Sequence, residues 1–273
     1  MLGDTAARDY STKLRHFNAF AAAELKRAID TLNVHEGARV LDAGCGTGEA
    51  LGWFKALTGD TGLVAGIDLS TAHVQAARKT APATAVVAQA DMLKPPLASG
   101  SFDLIWCVNT ITHLRDRLAG IRTLVDLLQP GGRIALGQGG FLPEMFFAWD
   151  ARLERVTREA DRAYYLDRYG LEERDTTAVR GLLGLLRSAG LRDVHARTLI
   201  IERVAPLSKL DEDYLFQTLF RDTWGERLRP YLAVEDYAEL VRLCDPQSPE
   251  FALRRPDFHF LQTFTLITGG KSL

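Results

Sequence analysis

The sequence predicts an α/β fold built on a doubly wound parallel sheet, and three observations support this prediction. Short apolar runs alternate with segments of helical periodicity over residues 39–137. These runs lack the polar alternation of half-exposed strands, which is typical of strands that are covered on both faces. The first run ends in VLDAGCGTGE at positions 40–49, a glycine-rich stretch that predicts a turn from a strand into a helix.

The elements of the first half follow from these patterns. Residues 16–32 place small and apolar side chains at helical spacing and predict one helix. Strands are predicted at residues 39–43, 63–67, 85–88, 102–108 and 133–137. Helices are predicted at residues 48–57, at residues 71–79 with Ser70 as the N-cap, and from residue 113 or 117 to residue 128. The PGG stretch at residues 130–132 predicts a turn.

The second half of the chain differs in composition. Most of the 13 Phe, 4 Trp and 7 Tyr residues lie after residue 140. Further helices are predicted at residues 177–189, 211–221 and 234–243, and further strands at residues 194–203 and 258–268. Two aromatic-rich insertions therefore follow the fifth and sixth strands, and they predict a helical cap that encloses an apolar pocket.

Composition and charge exclude several classes of protein. The 33 Lys and Arg residues and the 35 Asp and Glu residues give a net charge of −2, which does not favour nucleic-acid binding. The first 15 residues are polar, and no run approaches the roughly 18 apolar residues of a membrane span. The three cysteines are widely separated and show no metal-ligand spacing. We therefore expect a cytoplasmic protein with no membrane partner and no metal.

The glycine-rich turn predicts a ligand-binding site, since the start of a helix presents free backbone N–H groups. The turn alone is compatible with either a dinucleotide or an adenosyl ligand. The dinucleotide fingerprint is G-x-G-x-x-G. Here Gly44, Gly46 and Gly48 give G-x-G-x-G, and Glu49 stands at the position of the third fingerprint glycine.

Three acidic residues narrow the choice of ligand. Asp42 precedes the turn, where a carboxylate would repel a pyrophosphate but would suit a cationic amine. Asp68 ends the second strand, 68 − 48 = 20 residues after Gly48, where an acid can accept hydrogen bonds from a ribose diol. Asp91 follows the third strand, where it can accept from an adenine amine while Met92 packs on the ring.

Four stretches together resemble the motifs of the class I S-adenosylmethionine (SAM) methyltransferases. They are VLDAGCGTG at 40–48, GIDLS at 66–70, QADMLKPPLASGSFDLIW at 89–106 and LQPGGRIAL at 128–136. Within these motifs, the segment KPPLASGSFDLIW is most similar to the ubiquinone/menaquinone-type branch of the family, whose members act on small molecules. The resemblance covers residues 35–140 and implies a Rossmann-like, mostly parallel sheet of seven strands with an antiparallel seventh strand. It also implies SAM as the cofactor and S-adenosylhomocysteine as the product.

The resemblance further implies a set of cofactor-binding residues: Tyr10, Asp42, Gly44, Cys45, Gly46, Gly48, Asp68, Leu69, Asp91, Met92, Val108 and Asn109. Asp42 and the glycine turn would hold the methionine moiety, and Asp68 would hold the ribose. Asp91 and Met92 would contact the adenine. Asn109 would touch the methionine moiety or the methyl acceptor.

The expected organisation is a SAM-binding core with a lid and a cap. The segments are an N-terminal helical lid (1–34), the core (35–140), a cap insertion (141–175), further core (176–204), a second cap insertion (205–256) and the last core strand (257–273). Both insertions leave from the edge of the sheet where ligands bind, so we expect the cap to lie over the cofactor. Such a cap favours a small-molecule substrate, and a homo-oligomer is compatible with the sequence.

Two histidines are candidates for the general base. His113 lies just after the fourth strand, and His259 begins the seventh strand at the same edge of the sheet. Either could instead have a packing or strand-pairing role. His73 is expected to be peripheral.

The sequence therefore predicts a methyltransferase for a small, largely apolar or aromatic metabolite, with natural-product biosynthesis as a compatible setting. Methyl transfer would be an in-line displacement onto oxygen, nitrogen or carbon. Two alternatives stay open: a SAM-fold enzyme that catalyses a non-methylating cyclisation or isomerisation, and a non-catalytic SAM-binding partner subunit. A nicotinamide oxidoreductase is disfavoured by Asp42 and Glu49.

Overall fold

The computed structural model describes residues 6–7, 9–139, 144–146, 150–170 and 178–273. The strands are β1 (Arg39–Ala43), β2 (Leu63–Asp68), β3 (Val86–Gln89), β4 (Phe102–Val108), β5 (Leu128–Gly139), β6 (Glu144–Phe146), β7 (Arg192–Val204) and β8 (His259–Gly270). The helices are α1 (Ser11–Phe20), α2 (Ala22–Asp30), α3 (Glu49–Thr58), α4 (Thr71–Thr80), α5 (Arg117–Leu127), α6 (Ala151–Tyr169), α7 (Ala178–Ser188), α8 (Lys209–Tyr214) and α9 (Val234–Cys244). A π-helix (Leu215–Trp224) continues α8, and three short 3-10 helices lie at Ile111–His113, Arg229–Tyr231 and Ala252–Arg254.

The described strands form one sheet in the order β3-β2-β1-β4-β5-β8, with β7 on the far side of β8. Strands β1 to β5 pair in parallel, and β8 runs antiparallel to both β5 and β7. The short strand β6 pairs with the beginning of β8, beyond the stretch that pairs with β5, so it extends the line of β5. The predicted sixth and seventh strands are β7 and β8. The prediction of a doubly wound, mostly parallel sheet with an antiparallel last strand is confirmed.

Helices cover both faces of the sheet and bury its apolar side chains. On one face Leu41 and Ile105 are fully buried with Leu124 of α5 and Leu186 of α7. On the other face the core contains Val40 of β1 together with Leu25, Ile29, Leu51, Phe54, Trp106, Phe260 and Phe264. Burial on both faces explains why the strand sequences show no polar alternation.

The N-terminal segment forms two helices rather than the single helix predicted over residues 16–32. The break falls at Ala21, between α1 and α2. Arg203 of β7 explains it, because its guanidinium donates to the Phe20 carbonyl oxygen and to Glu24 Oε1 at 3.2 Å. The same guanidinium donates through Nε to Asp211 Oδ1 at 2.8 Å. Arg203 therefore fixes the junction of the two helices to β7 and to α8.

The elements from β5 to β8 differ in detail from the sequence prediction. Residues 128–132, predicted in part as a turn, form the irregular start of β5. The helix predicted over residues 211–221 is α8 followed by the π-helix. Of the aromatic residues of the first insertion, Phe141, Phe147 and Trp149 lie outside the described residues, as do the side chains of Phe146 and Tyr169.

Many described aromatic rings after β5 pack on each other and on α1. The Tyr214 ring stacks on Phe20 with 4.1 Å between centroids, and Phe220 stacks on Trp224 at 5.4 Å. These rings therefore form much of the core that joins the insertions to the N-terminal helices. In the part of the chain that the structure describes, no helix combines the length and the apolar character needed to cross a bilayer.

Candidate cofactor site

A cavity of about 160 Å³ lies at the carboxyl ends of β1, β2 and β4. Its floor is the glycine turn after β1, and its roof is formed by α1 and α2. Predicted site residues that line it are Tyr10, Asp42, Gly44, Cys45, Gly46, Asp68, Leu69, Asp91, Met92, Val108, Asn109 and His113. Other residues line the cavity that were not assigned to the site from the sequence: Leu14, Phe17, Asn18, Leu25, Trp53, His73, Trp106 and Thr110.

The glycine turn requires a backbone that side chains disfavour. Gly44 has φ +84°, and a methyl group built on it would lie 2.3–2.8 Å from side-chain atoms of Thr110. Gly48 has φ +86°, and a methyl group there would lie 3.0 Å from the backbone of Ala77 in α4. Gly48 does not line the cavity. It allows α3 and α4 to approach closely, which is a packing role, and its expected contact with the cofactor stays a prediction.

Asp68 connects the turn to the second strand. Its Oδ2 accepts a hydrogen bond from the Gly46 N–H at 2.9 Å, and its Oδ1 accepts from the Ser70 N–H at 2.9 Å. The carboxylate is only 13% exposed, and the exposed part lines the cavity. A backbone donor of the turn is therefore already paired with a carboxylate, which makes the turn a poor site for a pyrophosphate.

His73 of α4 lies in the cavity wall, so the expectation that it is peripheral is wrong. Its Nδ1 lies 3.2 Å from Asp68 Oδ1, and its Nε2 accepts a hydrogen bond from the Tyr10 N–H at 3.0 Å. The ring thus carries its proton on Nδ1 and links the chain before α1 to Asp68. No sequence motif marks His73, because the link depends on where α1 lies in space.

A second link fastens α1 to the glycine turn. Asn18 Nδ2 donates to Glu49 Oε2 at 2.7 Å, and Thr47 Oγ1 donates to the same oxygen at 2.6 Å. Glu49 is the residue that stands in place of the third fingerprint glycine. Its carboxylate has a structural role there, since it holds the roof of the cavity to the floor.

Asp42 lies at the end of β1 and is 4% exposed. Burial raises the pKa of this carboxyl well above its usual range, and the neighbouring carboxylates of Asp68 and Glu49 raise it further. The carboxyl groups of Asp42 and Asp68 therefore line the cavity beside the turn, and the Glu49 carboxylate lies close to them. Such a site favours a ligand with positive charge.

On the far side of the cavity, the side chains of Asn109 and Asp91 accept hydrogen bonds from backbone N–H groups. Asn109 has φ +51°, and its Oδ1 accepts a hydrogen bond from the Gly139 N–H at 2.8 Å. Asp91 Oδ1 accepts from the Leu93 N–H at 2.9 Å, which orders the loop after β3. Met92 beside it is 7% exposed and belongs to the core under the cavity.

The two candidate bases are separated by the structure. His113 ends the 3-10 helix after β4 and lines the cavity. His259 does not line it. Instead its Nε2 lies 2.8 Å from Glu202 Oε1 on the neighbouring strand β7, which corresponds to the strand-pairing role.

The roof of the cavity is formed by the N-terminal helices, and α8 packs against the outside of α1. The described residues after β5 do not line the cavity, and the expected position of the cap over the cofactor stays a prediction. The described residues contain no group of three His, Cys, Asp or Glu side chains that could hold a metal ion.

The fold is that of a Rossmann-like α/β domain with an antiparallel last strand. Residues 41–136 match the family model described as a methyltransferase domain.

Similar proteins include methyltransferase GfsG of Streptomyces halstedii, 34% identical over 116 residues, with 41% of each chain covered. The 27-O-demethylrifamycin SV methyltransferase of Amycolatopsis mediterranei is 34% identical over 122 residues, which are 43% of this chain and 44% of that protein. The match thus spans less than half the length of these relatives. Among solved structures, the YcgJ protein of Bacillus subtilis has a TM-score of 0.54 at 16% identity, over 92% of this chain and 99% of that one. This last likeness concerns the fold alone.

Proposed function

We propose that this chain is an enzyme that transfers a methyl group from SAM to an oxygen, nitrogen or carbon atom of a small, largely apolar or aromatic molecule. The observation that carries the proposal is the charge around the glycine turn. A pyrophosphate would meet the carboxyl groups of Asp42 and Asp68, with the Glu49 carboxylate nearby, whereas these groups would attract the ammonium and sulfonium groups of SAM. The raised pKa of Asp42 marks an unfavourable carboxyl environment that a bound cation would relieve.

The residues present fit SAM. Asp42 and the turn would hold its amino-acid part, and Asp68 would accept from its ribose hydroxyls. Asp91 and Met92 lie on the side of the cavity that would hold the adenine. When bound, SAM supplies a methyl group on a positively charged sulfur, which is already a good leaving group.

The chain's own contribution is to position the reactants and exclude water. We assign the lid to residues 1–34, since α1 and α2 roof the cavity, and the binding of the acceptor to the insertions at 141–175 and 205–256. Holding an acceptor in line can lower the barrier by about 7–11 kcal/mol. His113 is our candidate for the base that takes a proton from the acceptor, and an unchanged methyl-transfer rate in His113→Ala would remove that role.

The name of one relative, 27-O-demethylrifamycin SV methyltransferase, supports a natural-product acceptor. The net charge of −2 supports a small molecule over nucleic acid. A cytoplasmic location and a homo-oligomeric state stay predictions.

The test of the proposed function is calorimetric titration of the protein with SAM, S-adenosylhomocysteine and NADH. We expect micromolar binding of the first two and none of NADH. Binding of NADH with no binding of SAM would overturn the proposal. Binding of SAM, with no S-adenosylhomocysteine formed across a panel of acceptors, would favour a non-methylating enzyme or a binding subunit.

His73→Leu is expected to weaken SAM binding by roughly tenfold. The substitution removes one hydrogen bond to Asp68 and one from the Tyr10 N–H, each worth about 0.5–1.5 kcal/mol. Calorimetry measures the affinity, and hydrogen exchange measures the protection of residues 9–14. The exposed histidine at position 35 provides the control His35→Leu, which should change neither. Parent-like affinity in His73→Leu would show that the link to Tyr10 does not support the cofactor site.

A further inference from the structure

The His73 ring joins the chain before the N-terminal helices to the end of β2, at the rim of the cofactor cavity. The residue is 7% exposed. On one side its Nε2 accepts a hydrogen bond at 3.0 Å from the N–H of Tyr10, the residue directly before α1. On the other side its Nδ1 lies 3.2 Å from Oδ1 of Asp68, the carboxylate that would hold the ribose. One side chain therefore contacts both the lid and a cofactor-binding carboxylate.

These two contacts fix the charge and the tautomer of the ring. The carboxylate of Asp68 only accepts, so the proton of a neutral ring lies on Nδ1. The Tyr10 N–H only donates, so Nε2 has to be without a proton. An imidazolium carries a proton on both nitrogens and can keep the contact with Asp68 alone. Protonation of His73 therefore removes the acceptor of the Tyr10 N–H and places two donors face to face.

The chain before α1 is the part that would move when His73 is protonated. The ring is held by Asp68 and belongs to α4, which packs on β2 and β3. A second hydrogen bond joins this chain to α4, because the Thr71 N–H donates to the Ala6 carbonyl oxygen at 3.1 Å. The first turn of α4 thus holds the start of the lid, and His73 is the titratable member of that attachment.

Charged and titratable side chains surround the ring. Among the described residues, those on α4 and on the segments packed against it are Asp9, Tyr10, Lys13, Arg15, His16, Glu49, Lys55, Asp68, Arg78 and Lys79. Asp9 and Asp68 attract a proton to the ring. Asp9 is exposed, so salt screens its charge. Asp68 contacts the ring whether or not Tyr10 does, so the Tyr10 N–H is the group that requires a neutral ring.

We propose that His73 is a positioning residue, whose neutral form holds the start of α1 over the cofactor cavity and whose protonation releases it, so that SAM binds less tightly as the pH falls. This inference rests on the proposed function, because it takes SAM as the ligand of the cavity. Histidine ordinarily changes its charge between about pH 5 and 8. Because only the released segment tolerates a proton on Nε2, acidification shifts the protein towards the open site.

A pH profile of the parent alone would combine two titrations. Burial and the neighbouring carboxylates raise the pKa of Asp42 well above its usual range, and its protonation would remove a partner of the SAM ammonium group. The substitution His73→Gln separates the two. A glutamine can place its amide oxygen near the position of Nε2, where it accepts from the Tyr10 N–H and binds no proton between pH 5 and 8. It leaves Asp42 as it is.

The binding test is calorimetric titration with SAM at pH 8 and at pH 5, on the parent, on His73→Gln and on the control His35→Gln. His35 is exposed and does not line the cavity. Between the two pH values, the affinity of the parent should fall roughly tenfold more than that of His73→Gln, as expected when a buried N–H loses its acceptor. His35→Gln should follow the parent. An equal fall in the parent and in His73→Gln would overturn the inference.

A second readout needs no cofactor. Nitrogen NMR of the free parent at pH 8 should show the ring proton of His73 on Nδ1. As the pH is lowered, the Tyr10 amide signal should shift along the same curve as the ring, whereas in His73→Gln it should not titrate over this range. A ring proton on Nε2 at pH 8, or a Tyr10 amide that does not follow the ring, would contradict the inference.

The outcomes separate this inference from the proposed function. If the parent does not bind SAM at pH 8, the proposed function fails, and the NMR titration still decides whether His73 holds the start of α1. If the parent binds SAM at pH 8 but loses affinity in parallel with His73→Gln, the function stands and the inference fails. If His73→Gln does not fold, the NMR titration of the parent decides alone.

Discussion

Asp68→Ala is expected to lower the affinity for SAM by roughly 10²- to 10⁴-fold. The carboxylate would accept two hydrogen bonds from the ribose, each worth about 1.5–3 kcal/mol because the acceptor is charged. The same side chain holds the Gly46 N–H and the Ser70 N–H, so its loss also loosens the turn that contacts the methionine moiety. Calorimetric titration measures the effect directly.

The control for this variant is Asp60→Ala. Asp60 is an exposed carboxylate between α3 and β2, at the opposite edge of the sheet. It should bind SAM as the parent does. If Asp68→Ala also bound SAM like the parent, the assignment of the ribose to the end of β2 would be wrong.

Gly44→Ala is expected to damage both the fold and the site. The left-handed backbone at φ +84° costs an alanine about 1–2 kcal/mol. The new methyl group would also overlap the Thr110 side chain, and overpacking of this kind costs about 1–3 kcal/mol. We expect the free energy of unfolding to fall by about 2–5 kcal/mol. Because Gly44 and Thr110 both line the cavity, SAM affinity should fall by at least roughly tenfold.

Gly100→Ala separates the two causes. Gly100 has φ +66°, and a methyl group there would meet no atom within 4 Å. This variant should show the backbone strain alone, about 1–2 kcal/mol, with unchanged SAM affinity. Denaturant unfolding of the two variants measures the difference. Equal losses would mean that Thr110 moves aside without cost and that its close approach does not define the turn.

The sheet could be predicted from the sequence because the position of each strand depends only on residues within and next to that strand. Each strand is an apolar run bounded by a turn, and each acid at a strand end is fixed by the strand before it. Asp42, Asp68 and Asp91 therefore reach one cavity, as the order of motifs indicated. The glycines were predicted as one functional group, although Gly48 serves the packing of α3 on α4.

The parts that the sequence did not predict depend on contacts between distant segments. The break at Ala21 follows from Arg203, which lies about 180 residues further along the chain. The role of His73 follows from the position of Tyr10. Local pattern carries no information on such pairings.

The break between the N-terminal helices has a consequence for the timing of turnover. Arg203 clamps the chain at Phe20 and Glu24, so we expect α1 to swing about Ala21 while α2 keeps its place. This opening would break the Asn18–Glu49 and Tyr10–His73 hydrogen bonds and would separate the Phe17 ring from the Tyr214 ring, so these local contacts would set its free-energy cost.

Helix α1 roofs the cofactor cavity, so this swing would uncover it. We therefore expect the opening of α1 to set the rate of cofactor exchange. A fluorophore on the exposed residue Arg15, followed by stopped flow, would report the rate of opening. Cofactor exchange at a rate unrelated to the fluorophore signal would mean that the cofactor leaves by another exit.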